Sequence, residues 1–102
     1  MFKEELSLKL EAIEVLCRSY GVIRLAVFGS AVRDDFSSRS DVDFIVRFRR
    51  DGCLDAFHQY FEFKEHLEEL LDRRVDLVCE NAIRNPHFRK EVERTSQPVY
   101  AA

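Results

Sequence analysis

Two segments decide the fold: Leu25-Ala26-Val27-Phe28-Gly29-Ser30 and, ten residues later, Asp41-Val42-Asp43-Phe44-Ile45-Val46. One apolar run ends on two small residues, and the next opens on two carboxylates. Side chains of a strand alternate between faces. Asp41, Asp43, Ile45 and Arg47 therefore share one face of the second run, and Val42, Phe44, Val46 and Phe48 share the other. The apolar set needs a core, so both aspartates point away from it. The pattern predicts strands over about 23–28 and 41–49, joined by a tight turn and a polar loop.

Outward from these strands, Leu6, Leu10, Ile13, Cys17 and Tyr20 recur at helical spacing before Gly21, predicting a helix over about 2–20. A second long helix is expected over 54–71. Its apolar arc (Leu54, Phe57, Tyr60, Phe61, Phe63, Leu67, Leu70, Leu71) is wider than one core-facing stripe needs. Tyr60 and Phe63 are expected to turn toward a partner, the other reading being a broad interior face. A third strand is expected over 74–79. A last helix should start at Asn85-Pro86 and run to about Thr95, and Pro98-Val99-Tyr100 should form a short edge strand. This order predicts an α/β (α+β) fold, a small mixed sheet of three to four strands with helices packed on one face. The other face is left open for the acids.

At 102 residues the chain is expected to be one domain spanning 1–102, large enough for a core and too small for two. With 46% hydrophobic and 34% charged residues, the composition suits a folded protein and opposes disorder. The net charge of −3 and the scattered Lys and Arg oppose extended nucleic-acid binding. Cys17, Cys53 and Cys79 lack paired spacing and read as free thiols. The charged start, Met1-Phe2-Lys3-Glu4-Glu5, and the absence of a long apolar run lead to an expected cytoplasmic location, without a membrane.

The acids carry the chemistry. Carboxylates two residues apart on a strand stand about 6–7 Å apart at the backbone, close enough to share one cation or bridge two. Mg²⁺ favours one or two carboxylates together with phosphate oxygens and water. A polar pair at a turn is the plainer reading of Asp41 and Asp43. Asp76 alternates with Val75 and Leu77, so with the third strand beside the second, three carboxylates converge, as two-metal phosphoryl and nucleotidyl transfer requires. A salt bridge to Arg73 or Arg74 is the alternative for Asp76. Gly29 lets backbone approach a ligand, and Ser30 adds a hydroxyl and an amide where unpaired N–H groups favour anions. Arg33 suits either a phosphate or a salt bridge to Asp34 or Asp35. His58, His66 and His87 read as surface or half-buried residues. Together these residues fit a nucleoside triphosphate held with Mg²⁺.

The segments Gly29-Ser30-Ala31-Val32-Arg33, Ser40-Asp41-Val42-Asp43-Phe44-Ile45-Val46 and Arg74-Val75-Asp76-Leu77-Val78 resemble the polymerase-β-type nucleotidyltransferase superfamily. More closely, they resemble the minimal nucleotidyltransferase (MNT) domains that act as antitoxins in HEPN–MNT pairs. The resemblance covers essentially the whole chain and implies a polymerase-β-like fold. It also implies that Asp41 and Asp43 bind two Mg²⁺ ions. Asp76 would hold the catalytic metal and help activate the acceptor, and Gly29 and Ser30 would contact the phosphates of ATP. The implied reaction transfers AMP to a hydroxyl, releasing pyrophosphate; in HEPN–MNT pairs the acceptor is a tyrosine of the HEPN ribonuclease toxin, which is silenced. Asp34 departs from the glycine that many members carry after the motif arginine. At this size the acceptor is expected on a partner, and association into homo- or hetero-oligomers is left open. Two other functions are weighed: neutralisation of the toxin by binding alone, and transfer of a nucleotide to a small molecule such as an antibiotic.

Overall fold

The computed structural model describes residues 6–29, 41–49 and 55–102. After a helical turn at 6–8, Lys9 interrupts the helix and α1 runs Leu10–Ser19. Then follow β1 (Val22–Phe28), β2 (Val42–Phe48), α2 (Ala56–Leu71), β3 (Val75–Cys79), a 3₁₀ turn (Glu80–Ala82), α3 (Pro86–Thr95) and β4 (Gln97–Ala101). The strands form one mixed sheet in the order β3-β2-β1-β4, with β2 and β3 parallel and the other pairs antiparallel.

Local chemistry sets the boundaries. Gly21 ends the first helix with φ +67°, and its carbonyl accepts the Arg49 N–H at 2.7 Å, tying that turn to the end of β2. Asp55 caps α2 by accepting the His58 N–H at 2.9 Å. At the other end of α2, the Lys9 ammonium donates to the Leu70 carbonyl at 2.7 Å, placing a cation at the negative end of the helix. Asn85 caps α3 through the N–H groups of His87 and Phe88, with Pro86 at the first position.

The main core lies between one face of the sheet and the two long helices. Ile13 and Cys17 of α1 and Phe63, Leu67 and Leu71 of α2 meet Leu25, Val27, Val42, Phe44 and Val46. Helices packed on one face are thus found, as the sequence predicts, for α1 and α2. The third helix lies on the other face: the Phe88 ring meets Phe28 edge-on at 6.2 Å, and buried Val92 stands with Ala26 and Ile45 around one cavity. Arg89 holds α3 to the segment after β3 by donating to the carbonyls of Ile83 (2.9 Å) and Glu80 (3.2 Å). The acid-bearing face is therefore partly roofed.

The phase of α2 differs from the sequence expectation. Phe63 is fully buried and packs edge-on against Phe48 at 5.7 Å. Tyr60 is half-buried, its hydroxyl donating to the Leu77 carbonyl at 2.5 Å. Phe57 and Phe61 face outward instead, with their rings 4.6 Å apart. Helical periodicity defines an arc, but where the arc is wide it does not say which edge meets the core. Buried Gln59 helps to decide it, because its Nε2 donates to the carbonyls of Tyr20 (2.8 Å) and Arg49 (3.2 Å). The row Gln59, Phe63, Leu67, Leu71 at i, i+4 spacing is consequently the inner one.

Cys17 is a buried free thiol, and burial first, then the charge of Glu14, pushes it up to about 12. Cys53 lies outside the described residues. Among the described residues no helix is long and apolar enough to cross a membrane. Truncating Phe63 to Ala should cost about 3–5 kcal/mol in urea unfolding. Truncating outward-facing Phe57 should change stability by no more than about 0.5 kcal/mol.

Candidate active site

The sheet topology brings three chain segments to one edge. Antiparallel pairing sets the end of β1 beside the start of β2, and parallel pairing sets the start of β3 on the other side of β2. The register opposes Phe28 to Asp43, and Asp43 to Asp76, so these three side chains form one row across the sheet. The Val42 N–H donates to the Arg74 carbonyl at 3.0 Å and closes β2 onto the entry to β3. Asp41 sits one residue before β2 and is exposed, as is Asp76, whereas Asp43 is half-buried between them.

Burial raises the Asp43 carboxyl above the ordinary 3.8; the negative charges of Asp76 and then Asp41 push it further, and a hydrogen bond with Asp76 adds to the shift. Two carboxyl groups thus share a site whose polarity suits a hard divalent cation with oxygen ligands. Among the described residues no group of three or more His, Cys, Asp or Glu side chains stands in metal-cage geometry. The structure joins Asp43 to Asp76 and leaves Asp41 within electrostatic reach. An incomplete oxygen set of this kind fits an ion that keeps positions for phosphate oxygens and water.

Gly29 follows Phe28 with φ +69°, a conformation L side chains rarely adopt. A β-carbon there would stand 2.6 Å from Asp43 Oδ2. The glycine thus lets its own backbone stand directly against the half-buried carboxylate. Ser30, Arg33 and Asp34 lie outside the described residues.

Sequence reasoning passed over Phe28 and Phe88 as site neighbours. The face of Phe28 follows from strand alternation once the β1–β2 register is known, but Phe88 reaches the row only through the packing of α3. A cavity of about 290 Å³ beneath α3 is lined by Ala26, Ile45, Ile83 and Val92, with the Arg24–Glu80 ion pair at its side, and by none of the three aspartates. Two histidines are engaged on α2: the His58 ring pairs with Asp55 at 2.6 Å within the cap, and His66 lies beside Tyr20.

Residues 11–102 match the family described as polymerase beta nucleotidyltransferase. The chain belongs to this family. A protein from Methanocaldococcus jannaschii, provisionally named a protein adenylyltransferase, is 35% identical over 80 residues, or 78% of this chain and 79% of that protein. A solved structure provisionally described as a minimal nucleotidyltransferase is similar at 35% identity and TM-score 0.78, covering 93% of each chain. The same fold occurs in a tri-AMPylated Shewanella oneidensis HEPN toxin bound to an MNT antitoxin, at 21% identity and TM-score 0.65, over 95% of this chain and 73% of that one. The nucleotidyltransferase is therefore an enzyme with a polymerase-β-like fold, as the motif implied.

In this nucleotidyltransferase, Gly29→Ala should lower stability by about 1–2 kcal/mol through the left-handed backbone alone, read by chemical denaturation. The raised Asp43 carboxyl predicts a pH effect of definite sign. The folded state binds that proton more tightly than the unfolded chain, so the wild type loses stability as pH rises through and above the ordinary 3.8. Asp43→Asn should melt higher than wild type at neutral pH without divalent metal, and the gap should close as the solution is acidified below that value.

Proposed function

We propose that the chain transfers AMP from ATP to a tyrosine hydroxyl of a HEPN-domain toxin and so acts as its antitoxin. The observation that carries the reading is the Asp43–Asp76 pair beneath the Gly29 turn, with Asp41 adjoining it. Support for the acceptor comes from the fold shared with an MNT antitoxin whose HEPN partner is AMPylated.

In this reading Asp41, Asp43 and Asp76 would hold two Mg²⁺ ions, whose chemistry there would be to neutralise phosphate charge and favour the attacking and leaving oxygens. The raised Asp43 carboxyl supports the assignment, because a bound cation would offset both the burial that chiefly lifts it and the added repulsion from Asp76 and Asp41. Gly29 presents backbone close to the β- and γ-phosphates, and Ser30 and Arg33 contribute a hydroxyl and a cation by their positions in the sequence. Asp76, on the strand farther from Gly29, lies on the side where the acceptor enters. There it accepts a hydrogen bond from the tyrosine hydroxyl and takes its proton. The phenolic oxygen forms a bond to the α-phosphorus while the bond to the β-phosphate bridging oxygen breaks, and pyrophosphate leaves.

The test is co-expression with a neighbouring HEPN protein, followed by the intact mass of that protein. Wild type should add discrete increments of one AMP, and fragmentation of the modified peptide should place the increment on tyrosine. Asp41→Asn with Asp43→Asn, or Asp76→Asn alone, should lower transfer at least about 100-fold, since even outer-sphere partners of a metal cost up to that much. Unmodified toxin in cells that the double variant still protects would replace this reading with neutralisation by binding alone. A second measurement concerns the metal. Addition of Mg²⁺ should raise the melting temperature of wild type and not that of Asp43→Asn with Asp76→Asn.

A further inference from the structure

The row Asp76, Asp43, Phe28 runs across the sheet, and α3 places an aromatic ring at its Phe28 end. Phe28 immediately precedes the Gly29 turn and pairs with Asp43 on the side away from Asp76. Phe88 stands edge-on against Phe28 and keeps 42% of its surface exposed. Its position is not a matter of chance rotation of a surface helix. Asn85 Oδ1 accepts the N–H groups of His87 and Phe88, and Arg89, the next residue, is tied to two carbonyls of the preceding segment. Val92, one turn later, is buried and anchors the same side of α3. The helix therefore carries a fixed, half-exposed ring against Phe28, which is the strand partner of Asp43 and the residue before Gly29.

The geometry points to Phe88, backed by Phe28, as the platform on which the base of the donor nucleotide stacks. This rests on the nucleotidyl-transfer reading of the acids and adds to it the residue that recognises the base. With phosphates over Gly29 and Asp43, the acceptor enters from the Asp76 side, and the nucleoside lies over the end of β1, where Phe88 is. A π-face binds any base by stacking and needs no hydrogen-bond code. The platform thus predicts affinity for the base as a flat ring, with weak discrimination between bases.

The experiment is calorimetric titration of the full chain with Mg²⁺·ATP and, in parallel, with Mg²⁺·tripolyphosphate, which carries the phosphates and no nucleoside. Phe88→Ala should weaken ATP about 5- to 150-fold, the range for loss of one base–aromatic stack. It should leave tripolyphosphate affinity unchanged, and Phe88→Tyr should restore ATP binding. Equal weakening of both ligands would mean that Phe88 only shapes the acid site, and the proposal would fall. No change in ATP affinity would overturn it too, as would wild type binding ATP no more tightly than tripolyphosphate; in either case the phosphate site stands. Absence of binding by wild type to either ligand would overturn the nucleotide reading itself, and the platform with it.

Discussion

The apposition of Asp43 and Asp76 is the constraint on which the rest of the site depends. Two acids would separate in water, yet the parallel β2–β3 register fixes their backbones side by side. The core enforces that register. Val42, Phe44 and Val46 on β2 and Val75 and Leu77 on β3 are buried on the opposite face, and a one-residue slip of either strand would turn those side chains outward. Hydrophobic burial thus holds a like-charge pair together, and burial of Asp43 first, then the charges of Asp76 and Asp41, raises its carboxyl.

A site assembled against repulsion is poised for a cation. In the proposed reaction, relief of that cost would favour a divalent ion at the pair. Gly29 belongs to this arrangement because its missing β-carbon leaves room for the Asp43 carboxylate. A β-carbon at Gly29 would crowd Asp43 Oδ2 at 2.6 Å, so the glycine and the second aspartate of the motif form one steric unit. Catalysis by such a site lies chiefly in positioning and charge neutralisation, which accords with a framework of short strand ends and little other machinery.

The helices divide their work between the faces. α1 and α2 bury the apolar face, with Gln59 and Lys9 fastening their ends to β2 and to one another. α3 crosses to the acid face and is held there by Asn85, Arg89 and Val92. That crossing brings Phe88 against Phe28 at the end of the row. The outward pair Phe57 and Phe61 occupies a different part of the surface, on the solvent side of α2.

Much of this was legible in the sequence because it depends on short-range rules. Alternation over Asp41–Phe48 put both aspartates on the face away from the core, and Asn85-Pro86 marked the start of α3 at the residue where it begins. The segments around Gly29, Asp43 and Asp76 named the family, since spacing along strands is intrinsic to the chain. Three things needed the tertiary structure. The inner edge of α2 was one, because a wide apolar arc leaves its phase to packing and to the hydrogen bonds of Gln59, so Phe63 went inward and Phe57 outward. The partner of Asp43 was another, because strand neighbours are set by long-range pairing. The last was the place of α3, since an amphipathic helix carries no record of which face of a sheet it will cover.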